Sequence, residues 1–86
     1  MLICLVNIQV SARRSAIATL TEAEKVERKA LGEATYRPIQ TGEDLYYGDL
    51  LIVRPGGKGL IRCYKDSTTW PLPADGLPRG VTNTCP

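Results

Sequence analysis

The first residues, MLICLVNIQVSA, set Val6, Ile8 and Val10 against Asn7, Gln9 and Ser11. This period of two predicts a β-strand with one buried face. After Gly32, apolar runs of about four to six residues alternate with turn residues. The turns fall at Gly42-Glu43-Asp44, Gly48-Asp49 and Pro55-Gly56-Gly57-Lys58-Gly59. Short runs punctuated in this way predict an all-β fold, a small single-domain sheet or sandwich. DLLIVR and GLIRCY are expected to be paired strands, with PGGKG as the hairpin loop between them and Gly56 to Gly59 at its tip. That loop is not a phosphate cradle, because Lys58 is followed by Gly59 where a hydroxyl residue is needed and no helical pattern follows.

Residues 15–32 carry two conflicting signals. Thr21 and Glu24 have the spacing of a capping box, Glu24 and Arg28 stand four apart, and Gly32 occupies a C-cap position, so a helix from Glu22 to Leu31 is one reading. The apolar residues of such a helix are mostly alanines plus Val26, and AIATLT alternates as a strand does. Both readings stay open on local grounds.

The last quarter, CYKDSTTWPLPADGLPRGVTNTCP, has no periodic run after Leu72 and predicts an irregular strap. Trp70, Leu72, Leu77 and Val81 are its expected anchors, and Pro71, Pro73 and Pro78 preset extended backbone and lower the cost of ordering it. Cys63 faces inward if Ile61 does, and a bond to Cys85 would fix the free end of the strap. Closing a loop of about 20 residues contributes roughly 3 kcal/mol. Cys4 is then left free or paired between chains. The competing reading makes all three cysteines small buried residues in a reducing cytosol.

Composition narrows the chemistry. A chain of 86 residues is one domain with a marginal core, for which a cross-link matters. Eleven basic and nine acidic residues are scattered without a cationic stripe, so nucleic acid is not an expected partner. There is no histidine and no C-x-x-C pair, so neither a metal centre nor a general base of the commonest kind is expected. No cofactor is expected. The amino-terminal run ends in the small residues Val10-Ser11-Ala12, as an export signal does, but no Lys or Arg precedes it and Asn7 and Gln9 interrupt it. It is too short to span a membrane. Residues 1–15 are therefore read first as an apolar strand or assembly segment carried by Leu2, Ile3, Leu5, Val6, Ile8 and Val10, and second as an export-signal remnant.

From Ala16 onward the order AIATLTEA, KVERKA, YRPIQTG, LYYGDLL and a C..DSTTW.LP to GV..CP ending resembles FecR-like domains. The likeness is to the short form found in exported cyanobacterial proteins, over residues 16–86. It implies a β-rich fold, turns residues 16–30 into a pair of strands, and implies a location outside the cytoplasm with a binding or structural role. The anti-sigma helix, membrane span and further modules of signalling members have no counterpart in these residues.

Glu43, Asp44 and Asp49 crowd neighbouring turns, where carboxylates either hold calcium and move protons or bond their own backbone; the second is the simpler reading. Tyr36, Tyr46, Tyr47, Tyr64 and Trp70 supply ring surface, and Tyr46, Tyr47 and Trp70 are the candidate binding surface for a glycan or peptide. Tyr47 and Tyr64 are equally readable as core residues. Ser67, Thr68 and Thr69 lack a base, and Lys58, Arg62 and Lys65 read as solvated faces. The expected function is a non-enzymatic extracytoplasmic binding or accessory domain whose partner is protein, including other copies of itself. The alternative is a self-assembling subunit of an extracellular filament or oligomer, joined by β-strand addition through residues 1–15.

Overall fold

The computed structural model describes residues 15–85. They form one antiparallel six-stranded sheet: β1 (Ala18–Lys29), β2 (Arg37–Pro38), β3 (Asp44–Leu45), β4 (Leu50–Cys63), β5 (Thr69–Leu72) and β6 (Arg79–Gly80), followed by a single helical turn, α1 (Val81–Thr84). The central path runs β2-β1-β4-β5, with β3 also on β1 and β6 also on β4. The fold is all-β, as the rhythm of short runs predicts.

Two local expectations change. Residues 18–29 are neither a helix nor a pair of strands but one strand of 12 residues. Its register against β4 slips between Leu20 and Glu22 and again between Glu24 and Val26. The first slip adds one residue to β1, the second sets Lys25 alone against four residues of β4, and the inward side chains fall at Leu20, Ala23 and Val26, opposite Ile61, Gly59 and Val53. A bulged strand thus produces the three-residue spacing that imitates a helix. At the second slip Lys25 takes a left-handed φ of 57°.

DLLIVR and GLIRCY are likewise not hairpin partners. They are the two halves of β4, and both pair with β1: residues 50–53 with 26–29, and residues 58–63 with 18–24. Between them, residues 54–57 oppose the single residue Lys25. The glycine-rich stretch therefore supplies a bend in a continuous ribbon instead of a turn between neighbours, with Gly56 at a φ of 86°. In a straight strand Val53 and Gly59 would stand about 20 Å apart. Here a methyl of Val53 comes within 2.9 Å of where a Gly59 Cβ would lie, so the ribbon folds its two halves face to face. One core results: Ala18, Leu20, Leu45, Ile61 and Leu72 from one half meet Val26, Ile39, Leu51, Val53 and Val81 from the other.

The strap is more ordered than its sequence predicts. β5 lies along residues 59–62, β6 lies along Leu50 and Leu51, and the Gly76 N–H donates to the Val53 carbonyl as the chain crosses the bend. Of the expected anchors, Leu72 and Val81 are buried, while Trp70 and Leu77 are exposed. Cys63 and Cys85 form a disulfide across 5.4 Å between their Cα atoms, and both are buried. The strap thus ties the two halves of the ribbon together, and its end is bonded back to the strand from which it leaves.

Candidate functional site

Three turns with one construction stand on the connections around β2 and β3. In ALGE (residues 30–33), QTGE (40–43) and YYGD (46–49), the acidic fourth residue donates its N–H to the carbonyl of the first, at 2.9, 3.2 and 3.1 Å. Its carboxylate then accepts the N–H of the first residue, at 3.1, 3.0 and 2.9 Å. The third residue is a glycine at φ 89°, 94° and 88°, the left-handed conformation demanded by a type II turn. Glu33, Glu43 and Asp49 are therefore turn-closing groups, and the backbone-bonding reading of Glu43 and Asp49 is the observed one. Asp44 differs: its carboxylate accepts the Tyr64 hydroxyl at 2.9 Å.

This construction lifts the second residue of each turn to the tip. Two of those residues are large and apolar: Leu31 is 67 % exposed and Tyr47 is 69 % exposed. The turns abut, because a Cβ on Gly48 would lie 2.9 Å from the Leu31 Cβ. Leu31 therefore rests in the space that Gly48 leaves open, and the two turn tips, each with a large exposed apolar residue, are neighbours.

Arg28 braces it from below. Its guanidinium donates to the Asp44 carbonyl at 3.0 Å and stands 3.7 Å from both Asp49 and Glu43 carboxylate oxygens. Asp49 is fully buried, with one oxygen taken by the Tyr46 N–H and the other, Oδ1, without a hydrogen-bond partner. A carboxylate so placed needs the nearby cation to offset its lost hydration. Beside Arg28 lies a polar cleft of about 220 Å³ lined with Glu33, Arg37 and Pro38, in which Glu33 and Arg37 are ion-paired. Among the described residues no three Cys, Asp or Glu side chains are grouped to hold a metal ion.

The sequence-predicted surface divides. Tyr47 is at the tip, Tyr46 is half-buried behind it, and Trp70 is on β5, separated from β3 by β1 and β4. Three strand spacings put these edges about 14 Å apart. Trp70 is 46 % exposed, and its indole N–H donates to Thr68 Oγ1, which itself donates to Asp66. Tyr47 and Tyr64 are exposed, contrary to their reading as core residues. Lys58, Arg62 and Lys65 are solvent-facing, on the folded ribbon and its end instead of on a hairpin, and Lys58 pairs with Glu22 at 3.0 Å. Leu31 was not singled out by sequence reasoning. The repeated x-x-Gly-acid pattern at 30–33, 40–43 and 46–49 is the signal that could have placed it at a turn tip. Leu2, Ile3, Cys4, Leu5, Val6, Ile8 and Val10 lie outside the described residues.

Three carboxylates have pKa values lowered from their ordinary values of 4.5 for Glu and 3.8 for Asp. Glu27 is lowered by the Arg54 hydrogen bond, Glu33 by the Ala30 N–H and then by Arg37, and Asp66 by Thr68. A depressed carboxyl contributes stability above its unfolded value, and the contribution is lost as pH falls through the folded value. The midpoint of thermal unfolding is therefore expected to decline with acid from about pH 4.5 downward. With no histidine, no step from imidazole titration is expected between pH 5 and 8. A melting series from pH 8 to pH 2 checks both parts.

Comparison of the chain with family models, with curated proteins and with solved structures finds no match.

Proposed function

We propose that this chain is a non-enzymatic protein-binding domain that works outside the reducing cytosol, with Leu31 and Tyr47 as the centre of its binding surface. The observation that carries the reading is the abutment of two rigid turns that hold two large apolar side chains out to solvent. Each tip is fixed by a pair of hydrogen bonds and a glycine, so little ordering remains to be done on binding. The Cys63–Cys85 bond supports an oxidising compartment, where such bonds persist. The resemblance to FecR-like domains read from residues 16–86 of the sequence implies the same class of role, and no family model matches the chain. Among the described residues no helix is long and apolar enough to cross a membrane.

Strand addition has weaker support, because β2 ends on Pro38 and β5 contains Pro71. Proline has no N–H to offer and blunts a sheet edge against pairing. The test is comparative. The full chain and a Leu31→Glu/Tyr47→Ser variant of unchanged circular dichroism are immobilised and challenged with the exported proteins of the source cell. Proteins retained by the first and lost from the second support the reading, and equal retention by both contradicts it.

A further inference from the structure

Asp75 is followed by Gly76, the one Asp-Gly step in the chain, and Asn-Gly does not occur. Such a step is open to attack by its own backbone, because glycine carries no side chain to shield its nitrogen from the carboxyl group before it. Here the step lies between β5 and β6, where the strap crosses the bend of the ribbon. Each group that the attack would use is held. The Gly76 N–H donates to the Val53 carbonyl at 2.9 Å. Asp75 Oδ1 accepts the Leu77 N–H at 3.0 Å, and Oδ2 is paired with the Arg79 guanidinium. Pro73, Ala74, Asp75, Leu77 and Pro78 are exposed, so water reaches the loop and its protection comes from these bonds, not from burial. The bonds last only while the strap stays down. Beyond the loop it is held by two residues of β6, by the Val81 N–H bond to the Asp49 carbonyl, by the buried Val81 and by Cys63–Cys85.

We propose that Asp75 is a covalent modification site gated by the strap: it converts to isoaspartate when the strap lifts, and the conversion then keeps the strap from closing. Once the Val53 contact is broken, the Gly76 nitrogen attacks the Asp75 Cγ. A nitrogen–carbon bond forms while the amide proton and a carboxyl oxygen leave as water, and the product is a five-membered succinimide. Water then reopens the ring. Cleavage at Cγ restores aspartate, whereas cleavage at the α-carbonyl leaves isoaspartate, in which the main chain runs through Cγ and is one methylene longer at unchanged mass. That extra methylene falls between the two contacts that fix the loop, Gly76 to Val53 and Asp75 to Arg79, so both lose their spacing. A transient opening of the strap is thereby turned into a lasting one.

The oxidised full chain and its Cys85→Ser variant are aged in neutral buffer, beside the full chain unfolded in guanidinium chloride, which sets the unprotected rate. Isoaspartate at residue 75 is read as a peptide of unchanged mass and shifted retention that an Asp-specific protease no longer cuts there. Cys85→Ser that keeps the circular dichroism of the sheet is expected to convert on the order of 100 times faster than the oxidised parent, the gain in lifted strap from opening the closed loop. Equal rates in the two overturn the proposal, and so does a variant that stays unconverted while the unfolded chain converts. If Cys85→Ser loses its sheet, Arg79→Gln decides in its place, because it keeps the disulfide and frees Asp75 Oδ2. It is expected to convert about three times faster than the parent, as loss of an exposed ion pair allows, and an unchanged rate overturns the proposal. The isolated isoaspartate form, with its disulfide intact, is expected to be cut by trypsin at Arg79. Resistance equal to that of the unmodified chain overturns the locking step.

Discussion

Gly57→Ala is expected to lower the stability of the domain by about 3 kcal/mol, which for a chain of this size moves the thermal midpoint down by on the order of 15 °C. Its added Cβ would lie 2.3 Å from the Glu24 carbonyl oxygen and 3.0 Å from that of Arg54. Both are backbone atoms of the folded ribbon, so relief requires the bend itself to open. Opening it separates Val53 from Gly59 and Leu72 and divides the core. Gly42→Ala is the matched control: Gly42 has a φ of 94° with nothing within 4 Å of its missing Cβ. Only the conformational penalty applies there, about 1 kcal/mol. Denaturant unfolding of the two variants, compared through their midpoints, separates steric closure of the bend from the general cost of replacing a left-handed glycine.

Cys85→Ser is expected to cost about 3 kcal/mol, from the closed loop it opens. The bond joins residues 22 apart and fixes the far end of the strap, where α1 follows a strand of only two residues. With the bond gone, this end keeps only the two-residue pairing of β6 with Leu50 and Leu51, the Val81 N–H bond to the Asp49 carbonyl and the burial of Val81. Trypsin is therefore expected to cut at Arg79 in the variant and not in the oxidised parent. β5 keeps its four-residue pairing with residues 59–62, so the sheet survives the cut. A variant that resists trypsin at Arg79 as well as the parent does would show that the strap holds without its bond.

The fold class was legible because DLLIVR and GLIRCY have strand-like composition and strong turn residues around them. Their partnership was not legible, because a glycine-rich linker that turns a hairpin and one that bends a continuous strand have the same residues. The difference is whether β1 runs past both halves, and that is a long-range fact. Residues 20–26 misled for a related reason: two register shifts against β4 moved the inward positions to Leu20, Ala23 and Val26, and spacing alone does not separate such a strand from a helix. The pairing of Cys63 with Cys85 was legible from the need to anchor an otherwise loose tail and from the inward phase of Cys63 with Ile61, both of which are buried. The aromatic surface was legible only in part. Tyr47 is exposed as a binding residue should be, but Trp70 belongs to the opposite edge, and Leu31 joins Tyr47 through a contact with Gly48 that no local pattern announces.

A small folded ribbon closed by the Cys63–Cys85 bond is the frame on which the rest, including the proposed location, depends. The direct measurement is peptide mapping by mass after alkylation without reductant, on protein isolated from the cell that makes it. The result expected is one linked pair of peptides carrying Cys63 and Cys85, which separates on reduction and leaves Cys4 outside the pair. Alkylation of all three cysteines before reduction would contradict the closed strap, and with it the placement of this domain outside the reducing cytosol.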